Sequence, residues 1–150
     1  MMNFIEFVRE SNRIEGILRE PTAEEVEATE AFVIGLPPTV ESVCALALLY
    51  TEGKGKLRER EGMNVRVGTH RPVSGGPVVK IELEGLLDAI QRMKPCAFHI
   101  AYETLHPFLD GNGRTGRALW AWQMWRDAPY QLRDLGFLHS FYYQALEASR

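Results

Sequence analysis

Residues His106 to Arg117, HPFLDGNGRTGR, place one histidine, one carboxylate, three glycines and two arginines side by side. Successive Gly and Asn residues in Asp110-Gly111-Asn112-Gly113 can adopt backbone angles that turn several N–H groups toward one point, which makes a nest for an anion. A helix beginning near Gly113 adds its unpaired N–H donors and the positive end of its dipole. Arg114 and Arg117 are three apart, hence neighbours on one helical face, and guanidinium forks match phosphate oxygens. Two or more phosphates suit such a set.

Asp110 is the sole carboxylate of the stretch. A polyphosphate usually brings magnesium, which takes few protein carboxylates and keeps water and phosphate oxygens as its other ligands, so Asp110 is the candidate metal ligand. His106 lies four residues earlier, can be neutral near physiological pH, and can take a proton from an attacking hydroxyl. The residue types leave open which phosphorus is attacked. A Gly-Asn-Gly between helices is commonly only a turn, and a histidine beside Pro and Phe is commonly packed. Their conjunction with two arginines argues for a site, because so many crowded polar groups need partners. Phe108 reads as a core anchor that fixes the loop.

The elements that must position this stretch are mostly helical. Phe4, Phe7, Val8 and Ile14 recur at helical spacing over 3–16, and Gly16 stands where a helix commonly ends in the left-handed conformation. Thr22 with Glu25 forms a capping box, and that helix runs to Gly35 and the Pro37-Pro38 pair. Val40 to Thr51 is apolar enough for the centre of the core. Between about 62 and 81, MNVRVGTHRPVSGGPVVKI carries β-branched residues on both sides of a centre rich in Gly, Pro and Ser, which predicts a two-stranded hairpin with a long tip. A lone hairpin is marginal, so it should lie against the helical body with an edge unpaired. Helical periodicity returns from Glu82 and again from Pro95, resumes after the His106–Arg117 stretch in RALWAWQMWR, and closes with a last helix after Pro129.

The chain has 150 residues, the ordinary size of one domain, with 45% apolar and 25% charged residues, which suggests neither a disordered nor a fibrous chain. A net charge of −3 with both signs interspersed gives no extended cationic surface for nucleic acid or an anionic membrane. The N-terminal residues carry Glu6, Arg9 and Glu10 where a signal peptide needs an apolar run, and no apolar stretch reaches membrane-spanning length, so a cytoplasmic location is expected. Cys44 and Cys96 stand alone among apolar neighbours, as buried free thiols rather than a disulfide or a metal knuckle.

HPFLDGNGRTGR resembles the Fic family motif HxFx[DE]GNGRxxR and agrees with it at every specified position. The resemblance implies a mainly α Fic-fold helical bundle with one β-hairpin flap, and transfer of AMP from ATP to a hydroxyl side chain of a target protein. It implies His106 as general base, Asp110 as magnesium ligand, and Gly111, Asn112 and Gly113 as the anion hole. Arg114 and Arg117 would stabilise the triphosphate, with Arg117 reaching the γ-phosphate. The branch of the family that phosphorylates carries a lysine where this chain has Gly113, which favours nucleotidyl transfer. The hairpin resembles the family's flap, whose edge, here Val67, Gly68, Thr69, His70 and Arg71, would pair with an extended target segment by strand addition.

A second motif sits far upstream. SNRIEG, Ser11 to Gly16, is similar to the family's inhibitory motif [ST]xxxE[GN], in the branch whose inhibitory helix is N-terminal. The resemblance implies that Glu15 pairs with Arg117 in the place the γ-phosphate needs. It also allows removal of AMP from modified targets, with Glu15 positioning a water, or use of another nucleotide donor. A catalytically silent nucleotide-sensing module is the reading from a different class, and the histidine base argues against it. A hydrolytic zinc site lacks the further His or Glu ligands it would need.

Overall fold

A computed structural model describes residues 3–127, which form six helices. Helix α1, Phe4–Ile14, opens on Asn3, whose side chain accepts the Glu6 N–H, and its C-cap is Glu15. The following Gly16 has φ 77, a conformation that glycine takes without a Cβ penalty. Helix α2, Ala23–Ile34, starts with the expected capping box: Thr22 and Glu25 each bond the other's backbone N–H. Helix α3, Val40–Tyr50, has a second such box from Thr39 and Ser42. Helices α4, Pro77–Ala89, and α5, Pro95–Leu105, both begin with proline in the first turn, where its missing N–H costs nothing. Helix α6, Asn112–Asp127, follows the motif turn directly.

Helix α6 is the axis of the assembly. It packs against α1, α2, α3 and α5, and almost every residue from Asn112 to Met124 is buried, as a helix surrounded by others requires. One apolar cluster joins Val43 and Ala47 of α3, Leu83 and Leu87 of α4, Phe98, Tyr102 and Leu105 of α5, and Leu119 and Trp122 of α6. Phe108 belongs to it and is fully buried, so the turn is anchored in the core as expected. A second cluster fastens α1 through Phe4, Phe7 and Val8 to Val33, Trp120, Ala121 and Met124.

The expected β-hairpin at 62–81 is not formed. Among the described residues there is no sheet, only two isolated antiparallel bridges, Leu57 with Phe108 and Val67 with His70. The second is a tight turn closed by Val67 N–H to the His70 carbonyl (3.0 Å) and His70 N–H to the Val67 carbonyl (2.9 Å) across Gly68 at φ 60. Its arms do not extend because Pro72 lacks a ladder N–H, and because the presumed second strand is the first turn of α4. Val79, Leu83 and Leu87 are buried at i, i+4 and i+8, so the helical period outweighs the β preference of Val78, Val79 and Ile81. The free cysteines are half-buried rather than buried. The expected last helix lies outside the described residues. No described helix is long and apolar enough to cross a membrane.

Candidate active site

The turn between α5 and α6 is held by hydrogen bonds of its own and by bonds from Lys56 and Arg58 of the loop after α3. His106 caps α5 in the left-handed conformation (φ 51, ψ 64), its N–H still bonded to the Tyr102 carbonyl at 3.0 Å. The Asn112 side chain then closes the loop from both sides, accepting the Phe108 N–H at 2.9 Å and donating to the Phe108 carbonyl at 2.7 Å. The Asn112 amide group is thus committed to the turn. Gly111 has φ 88 and its Cα lies against α3, where an added Cβ would meet Thr51 Cγ2 at 2.9 Å. The Thr115 hydroxyl ties the start of α6 to the turn and to α5, donating to the Gly111 carbonyl (2.8 Å) while bonded to the Tyr102 hydroxyl (2.6 Å).

A cavity of about 340 Å³ opens above this turn, lined by His106, the residues from Leu109 to Arg114, and Glu15 with Ile17. The volume lies in the range of small-ligand sites. His106, Asp110, Gly111, Asn112, Gly113 and Arg114 are therefore brought to one space. Asp110 is exposed at its rim, with one carboxylate oxygen accepting the Gly111 N–H at 2.8 Å. Burial, followed by the nearby charge of Arg58, lowers the His106 pKa to about 4, with the Glu103 carbonyl opposing in part. The imidazole is neutral at pH 7, as a proton acceptor must be.

The two arginines diverge instead of acting as a matched pair. Arg114 donates to the Tyr50 carbonyl at 2.6 Å, with its guanidinium 5.5 Å from the Tyr50 ring centre, and its Nε is buried without a hydrogen-bond partner. Arg117 is fully buried and turned toward α1. Its Nε donates to Ser11 Oγ at 2.7 Å, and the same Nη donates to the Ser11 carbonyl at 3.0 Å and to Glu15 Oε1 at 2.8 Å. Glu15 keeps 39% side-chain exposure in this pair. Its carboxylate lies so close to the start of α6 that a side chain at Gly113 would collide with it. The two segments singled out in the sequence, about a hundred residues apart, thus meet in one ion pair.

Val67 to Arg71 are all exposed, in the tight turn rather than on a strand edge. His70 Nε2 lies 3.0 Å from the Thr104 carbonyl, which holds the turn against the end of α5.

Three residues near the site carry no local signal in the sequence. Arg58, in the charged run KGKLRERE, is fully buried. Glu103 and His99, on α5, carry an ordinary i, i+4 spacing yet sit 3.9 Å apart in the interior beside Gly116 of α6. Burial raises the Glu103 pKa to about 8 and lowers the His99 pKa to about 4, so both are neutral near pH 7.

Residues 39–124 match the model of the Fic/DOC family. Comparison with curated proteins gave no match.

Proposed function

The chain belongs to the Fic/DOC family, and on that premise we propose that it is a protein adenylyltransferase that moves AMP from ATP to a hydroxyl side chain of a target protein and is held in check by Glu15. The observation that carries the reading is the single cavity shared by a neutral His106, the Asp110–Arg114 turn and the carboxylate of Glu15.

In the proposed reaction the triphosphate lies on the backbone N–H groups at the start of α6, where the helix dipole favours negative charge. The buried Arg114 Nε, which lacks an acceptor, supports an anion at this place. His106 takes the proton of the target hydroxyl, and the oxygen attacks the α-phosphorus. The bond from that phosphorus to the bridging oxygen breaks, and pyrophosphate leaves with the bonding electrons. Arg117 stabilises the charge at the γ end once Glu15 has left it.

The residues also fit a magnesium ion. Among the described residues no group of three or more His, Cys, Asp or Glu side chains gathers as a cage, so Asp110 would hold the ion with phosphate and water supplying the rest. When bound, it would offset the charge of the phosphates. The target would lie along the exposed Val67–Arg71 turn beside the site. Removal of AMP, with Glu15 orienting a water, is the second reading, supported by the position of Glu15 inside the cavity.

The test is mass spectrometry of Glu15→Gly incubated with ATP and magnesium, alone and with a lysate. A mass increase of one AMP on a hydroxyl side chain is expected, and Glu15→Gly/His106→Ala should lack it. A phosphate adduct, or no adduct, would reject adenylyl transfer. A modified target that loses AMP by hydrolysis only in the presence of Glu15 would establish the second reading.

A further inference from the structure

Arg58 is a fully buried cation whose four side-chain hydrogen bonds all go to main-chain carbonyls. Nε donates to the His106 carbonyl at 2.8 Å and one Nη to the Leu105 carbonyl at 3.0 Å. These are terminal carbonyls of α5, which the helix leaves without partners and where its dipole favours positive charge. The other Nη donates to the Met63 carbonyl at 3.2 Å and the Val73 carbonyl at 2.8 Å, the two shoulders of the loop that bears Val67–Arg71. The backbone around Arg58 is committed in the same way. Its N–H donates to the Pro107 carbonyl (2.9 Å), its carbonyl accepts the Gly76 N–H (3.0 Å), and the Leu109 N–H donates to the Lys56 carbonyl (3.0 Å).

One planar guanidinium thus joins the left-handed backbone of His106 to both ends of a loop that makes no ladder of its own. The loop also forms one wall, through His70, Pro72 and Val73, of a groove of about 540 Å³ whose other wall includes Ala101, Thr104 and Leu105. The width of that groove and the placement of His106 therefore depend on the same side chain.

We infer that Arg58 is a positioning residue that locks the backbone of His106 and the 63–73 loop into one unit, so that whatever lies against the loop is presented to the histidine at a fixed distance. The fork is essential to this, because a lysine has a single ammonium that cannot span four carbonyls in one plane. The charge has a second consequence. The groups that face the His106 ring are Arg58, His70, Glu15 and the Glu103 carbonyl, and Arg58 is the strongest charge among them holding the imidazole neutral. The consequence for catalysis rests on the base role proposed for His106, whereas the mechanical lock does not.

The experiment compares Arg58→Lys and Arg58→Met in the full chain by hydrogen exchange and by NMR titration of labelled histidine. Exchange should accelerate at least tenfold for backbone amides of 63–76 and 106–109 in both variants, with α1 and α2 unchanged. The His106 pKa should rise in Arg58→Met and stay near that of wild type in Arg58→Lys. In the Glu15→Gly background, Arg58→Lys should lower kcat for self-modification with labelled ATP while KM for ATP holds. Exchange that is unchanged, or that rises uniformly through all helices, would overturn the lock, as would an unaltered His106 titration in Arg58→Met the electrostatic part. If Arg58→Met does not fold, Arg58→Lys alone decides the lock, and its kcat effect at unshifted His106 pKa separates fork from charge. Absence of transfer in Glu15→Gly itself would count against the proposed function and leave the exchange result standing.

Discussion

Replacing Glu15 by glycine should tighten ATP binding by about 30-fold, a magnitude that follows from where the two charges lie. Arg117 is fully buried and Glu15 is 39% exposed, with 2.8 Å between the paired atoms. Removing one partner of a fully buried pair costs about 3–5 kcal/mol, and an exposed pair contributes about 0–1. A pair of intermediate exposure, with Arg117 still bonded to Ser11 Oγ and the Ser11 carbonyl, is worth about 2 kcal/mol. If ATP must displace Glu15, its apparent dissociation constant is the intrinsic one divided by the fraction of molecules with Arg117 released. About 2 kcal/mol sets that fraction near 1 in 30. The same deletion should lower the melting temperature of the ligand-free chain by about 4–8 °C. Calorimetric titration with ATP and magnesium in a His106→Ala background, where nothing is consumed, measures the first quantity, and thermal melts measure the second. An affinity within threefold of the parent, with the melting point lowered as expected, would show that the ion pair exists but does not compete with the nucleotide.

Gly113→Ala should act on the same contact from the other side. The added methyl collides with the Glu15 carboxylate, the movable end of a side chain, so the ion pair should open by rotation of Glu15 with the backbone unmoved. The stability losses of Gly113→Ala and Glu15→Gly should then be non-additive by about 1–2 kcal/mol in a double-mutant cycle, and full additivity would place the cost of Gly113→Ala elsewhere. The Glu103–His99 pair predicts a stability profile with pH. Glu103 has its folded pKa raised to about 8, so the native state holds the extra proton between its unfolded value and pH 8, and stability falls as pH rises through that window. His99 has its folded pKa lowered to about 4, so its contribution is present above pH 6.5 and is lost as pH falls toward 4. The two slopes oppose each other below pH 6.5, and Glu103 acts alone above it. Urea melts should show a loss of about 2 kcal/mol from pH 6.5 to 8 that disappears in Glu103→Gln. A parallel loss in that variant would exclude Glu103 as its source.

What the sequence made legible was what local chemistry decides. The Thr22–Glu25 capping box, the stop at Gly16, the Pro95 start and the turn at Asp110–Gly113 each rest on interactions within a few residues, and each is present. The wall of the cavity from His106 to Arg114 was legible for the same reason, since it is one short loop and the start of the helix that follows, whereas Glu15 and Ile17 reach it from α1 and the residues after it. The stretch from 62 to 81 departs from its expected hairpin because position outweighs the β preference of its branched residues. Gly76-Pro77 is a helix start, and the burial of Val79 with Leu83 and Leu87 is set by α5, which no window of α4 alone contains. Arg58 was illegible in principle. Its acceptors are carbonyls of Leu105, His106, Met63 and Val73, and a carbonyl carries no residue type. Glu103 and His99 have the spacing of a surface pair, and only the close approach of α6 at Gly116, where an added Cβ would come 2.6 Å from Glu103 Oε1, puts them inside.

The three arginines around the site show how one of them can be released while the fold is kept. Arg58 and Arg114 donate to main-chain carbonyls of other segments, so freeing either would pull backbone out of place. Arg117 differs in that one of its partners is a half-exposed side chain at the C-cap of α1. The helix itself is fastened by Phe4, Phe7 and Val8, and Ser11 keeps two bonds to Arg117 that do not involve Glu15. Rotation of the Glu15 side chain would therefore free Arg117 from the carboxylate without unpacking α1. The buried guanidinium would stay in place on Ser11, where the proposed reaction needs it for the γ-phosphate. A helix that had to detach would expose Phe7 and Val8 at a cost of several kcal/mol, more than the ion pair contributes. If the proposed function holds, displacement of a single side chain is for that reason the lower-energy route to a nucleotide-bound form.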